Sequence, residues 1–294
     1  MYQISSKILY NKELSPGYYK IGLDCPDIAS KAAPGQFIMI RVSNQLDPFL
    51  RRPFSIHMIH NSNAPHDEVD RNSRIDILYK VVGKGTEILS TAKEGGEIDI
   101  VGPMGNGFQI HEDMTTAIFI AGGVGVAPLL GLAEEILLKK KMTRSLVLFL
   151  GGKTRTDILC VKDFERLGAQ IHISTEDGSL GRQGIVTDQF VDYLESQDNA
   201  PGSFSHCFAC GPEAMLKEVA KITQKKEMPC QVSLETMMAC GLGACLGCVV
   251  RSKSQTGSKE PGNDIISHKD ESMIHHKKVC KDGPVFNSTE IIWE

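Results

Sequence analysis

Four cysteines near the C-terminal end of the sequence have a spacing that suits iron-sulfur chemistry. Cys240, Cys245 and Cys248 form a C-x4-C-x2-C pattern, and Cys280 follows further along the chain. This is the plant-type spacing of a [2Fe-2S] cluster, whose fourth thiolate comes from elsewhere in the chain. Glycines between the cysteines allow the backbone to turn its N–H groups toward the sulfur atoms. The pattern predicts Cys240, Cys245, Cys248 and Cys280 as the ligands of a [2Fe-2S] cluster.

Three other interpretations of the cysteines remain open at this point. Buried apolar cysteines are common individually, and Cys207, which forms a second C-x2-C pair with Cys210 in an apolar run, is interpreted as a core residue. Zinc sites with four cysteine ligands usually contain two C-x2-C pairs, whereas this group has one. A Rieske centre needs two histidine ligands. His275 and His276 lie near Cys280, but we interpret them as solvated loop residues.

The composition excludes several classes of function. A net charge of −4 gives no basic surface for nucleic acid or an anionic membrane. No apolar run approaches the ~20 residues of a membrane span, and the first residues lack the pattern of a signal peptide. The sequence therefore predicts a cytoplasmic protein. In that reducing compartment, nine cysteines indicate metal or redox chemistry rather than disulfides.

A glycine-rich turn in the middle of the chain predicts a nucleotide phosphate site. Gly122, Gly123 and Gly125 follow an apolar run and precede a helical pattern that opens at Pro128. Backbone N–H groups and the helix dipole at such a turn attract phosphate. Further along, Glu176 and Asp177 follow another apolar run. Carboxylates there could bind ribose hydroxyls and repel a 2′-phosphate, which favours NAD over NADP, although an acidic turn is the alternative.

Three segments must position these groups. Residues 1–102 contain short alternating runs that predict an antiparallel β-barrel, with a long hairpin loop at 61–72; the runs are 18–23, 36–42, 54–59, 74–82 and 97–101. Residues 103–226 alternate apolar strands with helices, which predicts a parallel α/β nucleotide-binding domain; the strands are 117–121, 146–150, 171–174 and 204–209, and the helices 128–139, 157–168, 186–196 and 212–226. Residues 227–294 are predicted to form a small C-terminal cluster subdomain, in which the polar segment 251–278 is expected to be an exposed or partly disordered loop.

The combination of motifs resembles a known family. Arg52-Pro53-Phe54-Ser55 resembles the flavin-binding R-x-Y/F-S motif of the ferredoxin reductase family, and the glycine turn with Cys210-Gly-Pro resembles its nicotinamide half. With the short cluster segment, the whole chain resembles the electron-transfer subunits of class 1B dihydroorotate dehydrogenases. The resemblance places Cys210 beside the nicotinamide ring as the candidate catalytic residue. It implies FAD contacts at Arg52, Pro53, Phe54, Ser55, Leu78, Tyr79, Lys80, Gly85 and Thr86.

The resemblance also implies a partner and a direction of electron flow. Dihydroorotate would reduce FMN on a separate catalytic subunit, and electrons would pass through the [2Fe-2S] cluster and FAD of this chain to NAD⁺. Two copies of each chain would form a heterotetramer. The alternatives are a small subunit of a ferredoxin-dependent transhydrogenase or a sulfhydrogenase, or a non-enzymatic, zinc-stabilised binding module that keeps the reductase fold.

Overall fold

The first part of the chain forms a curled antiparallel sheet of seven strands, a half-barrel. The computed structural model describes residues 1–61, 73–138, 145–197, 204–253 and 274–293. The strands run in the order β4-β3-β7-β1-β2-β6-β5. They are β1 (Tyr2–Ser15), β2 (Tyr18–Asp24), β3 (Phe37–Arg41), β4 (Arg52–Ser55), β5 (Met58–His60), β6 (Arg74–Lys80) and β7 (Glu97–Met104), with short helices α1 (Pro26–Ala29) and α2 (Lys84–Ser90).

Two details of the half-barrel differ from the sequence prediction. The run predicted as one strand, 54–59, is split between β4 and β5. The reason is a change of partner, because the N–H of Ile56 donates to the carbonyl of Gln36 at 2.9 Å and the next N–H, of His57, donates to that of Asp76 at 2.8 Å. Strand β1 was missed by the prediction, since most of its side chains lie exposed or half-buried. The predicted hairpin loop at 61–72 lies outside the described residues except for Asn61.

The second part is a mostly parallel sheet with helices on both faces, as predicted. Its first six strands are β8 (Thr116–Gly122), β9 (Ser145–Gly152), β10 (Gln170–Thr175), β11 (Arg182–Gln183), β12 (Ser205–Cys210) and β13 (Cys230–Ser233). The helices are α3 (Ala127–Leu138), α4 (Val161–Arg166), α5 (Val186–Gln197) and α6 (Glu213–Lys225). Helix α4 is shorter than predicted, because Ile158 is extended and Cys160 has a φ of +61°, so that the helix begins only at Val161.

Both faces of this sheet are apolar, which explains the continuous apolar runs of the strands. Because side chains alternate along a strand, Phe119 and Phe149 lie on opposite faces of the sheet, each fully buried. Helix α3 packs on the Phe119 side and helices α5 and α6 on the Phe149 side. The order of the strands reverses beside β8, which lies between β9 and β12. Ligands of such sheets bind beyond the carboxyl ends of the strands at this reversal.

The C-terminal part contains a hairpin and one further strand of the parallel sheet. Strands β14 (Val249–Lys253) and β15 (Ile274–Lys278) pair antiparallel, which corrects the prediction of one exposed loop over 251–278. Residues 254–273 of that prediction lie outside the described residues. His275 and His276 are exposed on β15. After α7 (Val279–Asp282), β16 (Val285–Asn287) adds to β13 as the antiparallel edge of the sheet. Among the described residues, no helix has the length and apolarity that crossing a membrane requires.

Candidate functional site

Several predicted site residues lie together at the carboxyl ends of the parallel strands. In the register of the sheet, Ala121 lies opposite Cys210, Gly122 opposite Gly151, and Thr175 opposite Gly152. The glycine turn, Cys210 and the acidic pair after Thr175 therefore share one edge of the sheet. This is the edge at which the reversal of strand order predicts a ligand.

The glycine turn packs backbone against backbone, and only glycine permits this. Gly123 has a φ of +54°, which disfavours other residues. A Cβ on Gly125 would collide with the carbonyl oxygen of Cys210 and would lie 2.8 Å from the Cα of Gly211. The turn leads directly into the 12-residue helix α3. Because the free N–H groups of a helix lie in its first turn, and α3 begins at the sheet edge, the arrangement fits a nucleotide phosphate.

Cys210 carries an uncharged thiol at this edge. Burial, together with the charge of Glu235, raises the pKa of Cys210 to about 12, although a hydrogen bond with Ser233 acts in the opposite direction. A thiolate nucleophile needs a lowered pKa. Cys210 is therefore suited to contact a planar ring rather than to attack a substrate, which fits its predicted position beside a nicotinamide.

The two predicted ribose ligands differ in their surroundings. Both Glu176 and Asp177 are exposed. The carboxylate of Asp177 accepts hydrogen bonds from the backbone N–H of Ser179 at 2.9 Å and from its hydroxyl at 2.6 Å, and these bonds lower the pKa of Asp177. Arg155 donates to the carbonyl of Ser179 at 3.0 Å. Asp177 thus stabilises its own turn, as the alternative interpretation expected, and Glu176 is the better candidate for a ribose contact.

A Glu176→Gln variant tests the preference for NAD. Loss of the carboxylate is expected to raise the KM for NADH by about tenfold, equivalent to about 1.4 kcal/mol, and to lower the KM for NADPH because repulsion of its 2′-phosphate is lost. Steady-state rates with NADH and with NADPH give the ratio of the two KM values. Glu195→Gln, which removes an exposed carboxylate from α5, is the matched control and should leave the ratio unchanged. Equal ratios for the two variants would contradict this role of Glu176.

The predicted flavin motif lies on β4, where it meets helix α2. The side chain of Arg52 covers Gly85, since a Cβ there would be 3.0 Å from the Nε atom of Arg52. The preceding Arg51 instead binds Asp99, with 2.6 Å between Nη2 and the carboxylate. Phe54 packs edge-on against the ring of Tyr79 at 5.7 Å between centroids. The fold thus brings together the predicted contacts from three separate stretches of sequence.

Thr86 is placed at this site, but its hydroxyl is already engaged. Its Oγ1 atom accepts hydrogen bonds from the N–H groups of Val82 at 2.9 Å and Gly83 at 3.2 Å, and donates to the carbonyl of Gly83 at 2.9 Å. These bonds cap the start of α2. Any contact of Thr86 with a flavin therefore has to use its backbone N–H, which lies in the first turn of the helix.

A polar contact that the sequence did not reveal joins the half-barrel to the nucleotide-binding sheet. The hydroxyl of Tyr18 donates to the carboxylate of Asp157, and the Nζ atom of Lys80 lies 3.2 Å from the same oxygen. Burial raises the pKa of Asp157, but the bonds from Tyr18, from the N–H of Thr154 and from Lys80 outweigh it and hold the pKa below its usual value. The contact holds Lys80, a predicted flavin contact, over the ring of Tyr18, whose hydroxyl would lie 3.9 Å from a Cβ on Gly123 of the glycine turn.

The cluster loop directs backbone N–H groups at the cysteine sulfur atoms. The N–H of Leu242 lies 3.3 Å from the Sγ atom of Cys240, and that of Gly247 lies 3.5 Å from Cys245. Gly241 and Gly243 adopt positive φ values, as the prediction required. Burial raises the pKa of Cys240, but N–H groups of the loop and the thiol of Cys245 outweigh it and lower the pKa to about 6. The loop is built to stabilise thiolates.

The arrangement of the four sulfur atoms distinguishes two irons from one zinc. Cys240 contacts Cys245, and Cys248 contacts Cys280, so the thiols form two pairs. In a tetrahedral zinc site with Zn–S bonds of ~2.3 Å, all four sulfur atoms would lie within about 3.8 Å of one another. In the described part of the chain, no three cysteine sulfur atoms lie within 4.8 Å of one another. Two pairs of thiols fit the two irons of a [2Fe-2S] cluster better than they fit a single zinc ion.

Comparisons with known proteins agree with this geometry. Residues 119–221 match the family model "Oxidoreductase NAD-binding domain", and residues 235–261 match "Iron-sulfur cluster binding domain of dihydroorotate dehydrogenase B". A solved structure of the NADH-dependent reduced ferredoxin-NADP oxidoreductase is 27% identical, with a TM-score of 0.76 over 99% of this chain and 90% of that one. A ferredoxin NADP⁺ reductase from Neisseria gonorrhoeae, 15% identical with a TM-score of 0.62 over 76% of this chain and 91% of that chain, shares the fold.

Two curated relatives extend over nearly the whole chain. The Desulforamulus reducens protein is 36% identical over 98% of both chains, and the Clostridium acetobutylicum protein is 34% identical over 97% of this chain and 96% of the relative. Both are named dihydroorotate dehydrogenase B (NAD(+)), electron transfer subunit. The chain has the four cysteines, the glycine turn and the arginine motif described above. At this identity and coverage, it belongs to the family of dihydroorotate dehydrogenase B electron transfer subunits.

Proposed function

We propose that this chain carries electrons from a partner subunit to NAD⁺ through a [2Fe-2S] cluster and FAD. One observation supports the order of the two cofactors. Met39 on β3 lies opposite Pro53 of the flavin motif, and it also packs against the cluster loop, since a Cβ on Gly241 would be 2.8 Å from its Cγ atom. The cluster site and the flavin site are therefore neighbours on one strand.

The side chains of the chain would hold and orient the cofactors rather than exchange protons. Arg52 would neutralise the FAD pyrophosphate, because a guanidinium binds phosphate oxygens in pairs. Ser55 would donate a hydrogen bond to the flavin, and the turn from Gly122 to Gly125 would bind the NAD phosphates. Cys210 would lie beside the nicotinamide. Bound FAD supplies the change from single electrons, exchanged with iron, to a hydride, exchanged with nicotinamide.

The surface around the cluster supports docking of the catalytic subunit there. Cys245 is exposed, whereas Cys248 and Cys280 are buried, so the cluster would lie just beneath the surface. Exposed apolar residues on the same loop mark protein contact surfaces; they are Met237, Leu242 and Leu246. The family name "electron transfer subunit" implies a catalytic partner. We infer that this partner holds FMN and oxidises dihydroorotate, and that two copies of each chain form a heterotetramer.

We also propose a cytoplasmic location. All nine cysteines are free, including Cys207 and Cys230 on neighbouring strands. Free thiols beside a cysteine-bound cluster suit a reducing compartment.

Separation of the two subunits tests the proposed function. The chain purified anaerobically with its cofactors is expected to oxidise NADH with an artificial electron acceptor and to be inactive with dihydroorotate. Addition of the FMN-containing subunit from the same cells should produce dihydroorotate-dependent reduction of NAD⁺. The absorbance of NADH follows both reactions. Turnover of dihydroorotate by the pure chain would contradict the division of labour between the subunits.

A further inference from the structure

A second group of metal-binding side chains lies at the opposite edge of the nucleotide-binding sheet. His206 stands near the amino end of β12, far along the strand from Cys210, and His111 and Asp113 lie on the segment that precedes β8. One ligand atom from each residue can be chosen so that all three lie within 4.8 Å of one another. Within the described ranges this is the one such group of three or more histidine, cysteine or acidic side chains.

The imidazole of His206 has the properties of a metal ligand. Its side chain is buried, with 3% of the residue exposed, and its Nε2 atom has no hydrogen-bond partner among the residues that the structure describes. An unsatisfied buried nitrogen is costly, and coordination to a metal is one way to satisfy a group of this kind. The rings of His206 and His111 lie 4.6 Å apart at 35°.

The segment that carries the other two ligands is firmly placed against the sheet. The ring of Phe108 packs edge-on against Phe208 of β12, at 5.7 Å. The backbone of Gln109 exchanges hydrogen bonds of 2.8 and 2.7 Å with the side chain of Gln231 on β13. Met114 is fully buried. These contacts flank His111 and Asp113, whose own side chains are exposed and leave room for water as a further ligand.

We propose that His111, Asp113 and His206 form a binding site for one Zn²⁺ ion, which ties the segment between the half-barrel and the parallel sheet to strand β12. Two imidazoles, a carboxylate and a water are a ligand set that zinc accepts in tetrahedral geometry. The site faces away from the edge that holds Cys210 and the glycine turn. The proposal is therefore independent of the electron-transfer function.

Zinc titration of the holoprotein tests the site. The protein, with its cluster and FAD bound, competes with a chromophoric chelator for Zn²⁺, and its cluster absorbance is recorded to confirm that zinc does not replace iron. Wild-type protein is expected to bind one more equivalent of Zn²⁺ than the His111→Gln and Asp113→Asn variants. Both substitutions change exposed side chains, so folding should be retained. Glu112→Gln removes a carboxylate from the same segment and should bind zinc as wild type does.

Two further measurements locate the ion and its effect. Crystals of the holoprotein grown with one equivalent of Zn²⁺ should show anomalous density among the three side chains at the zinc absorption edge. Added zinc should raise the Tm of the wild-type holoprotein and of Glu112→Gln, but not of Asp113→Asn. Equal zinc stoichiometry in wild type and both ligand variants, or density at another position only, would overturn the proposal.

Discussion

Cys245→Ser and Cys280→Ser variants are expected to lose the iron-sulfur cluster almost completely while keeping NADH oxidation with an artificial acceptor. Each change removes one thiolate from one of the two cysteine pairs. Removal of a residue that only hydrogen-bonds to a metal ligand lowers the metal affinity roughly 10–100-fold, so removal of a ligand itself should lower it more. Acid-labile sulfide and visible absorbance measure the cluster. Electron transfer between the catalytic subunit and NAD⁺ should fall with it.

The choice of variants separates ligand loss from misfolding. Cys245 is exposed, so its replacement carries a small risk to folding, whereas Cys280 is buried. Cys160→Ser is the matched control, because Cys160 lies at the start of α4, outside the cluster loop, and the chemical change is identical. It should keep the full sulfide content. Retention of sulfide and of electron transfer in both ligand variants would show that these cysteines do not hold the cluster.

An Arg52→Ala variant is expected to release FAD, whereas Arg51→Ala should keep it. A hydrogen bond to a charged group contributes about 1.5–3 kcal/mol, so loss of the Arg52 guanidinium should weaken FAD binding by about 10–100-fold. The guanidinium of Arg51 donates to Asp99 on β7. Its partners there are the backbone carbonyl of Asp99 at 3.1 Å and the carboxylate of Asp99 at 2.6 Å. The two variants remove the same positive charge from adjacent positions, and of the two side chains only that of Arg52 lies over Gly85.

FAD content after gel filtration, followed by titration of the apoprotein with FAD, measures the difference. NADH oxidation should fall in Arg52→Ala in proportion to the FAD lost and return when excess FAD is added. Restoration by FAD excludes general unfolding as the cause. Equal loss of FAD from both variants would show that the positive charge acts at long range and that the position of Arg52 over Gly85 has no special role.

The elements that could be predicted from the sequence are those with strong local patterns. Strands β8 and β9 are continuous apolar runs because both faces of the sheet are covered, and their helices follow with clear periodicity. Strand β1 has only two buried side chains and is held by pairing with β2 and β7. Strands β14 and β16 are short and depend on partners distant in the sequence. Local pattern contains no information about such pairings.

The site residues likewise divide into those with a local sequence signal and those whose contacts depend on distant parts of the chain. The spacing of Cys240, Cys245 and Cys248 and that of the glycine turn are local signals, whereas Cys280 lies in a distant part of the sequence. The contact of Tyr18 with Asp157 joins residues 139 positions apart, and neither has a local signal. Thr86 matches a flavin motif, but its hydroxyl is used within its own helix. The positions of Cys210 at the nicotinamide and Glu176 at the ribose, and the domain boundaries at 102 and 226, stay predictions.

The antiparallel pairing of β14 with β15 sets the relative positions of two predicted cluster ligands, Cys248 and Cys280. Val249, which directly follows Cys248, pairs with Lys278, which closely precedes Cys280. The N–H of Val279 donates to the carbonyl of Cys248 at 3.0 Å. The two ligands are thus set at the base of the hairpin, whatever joins its tips. The spacing of Cys248 and Cys280 is therefore set by the pairing of β14 with β15, and it does not depend on the number of residues between Lys253 and Ile274.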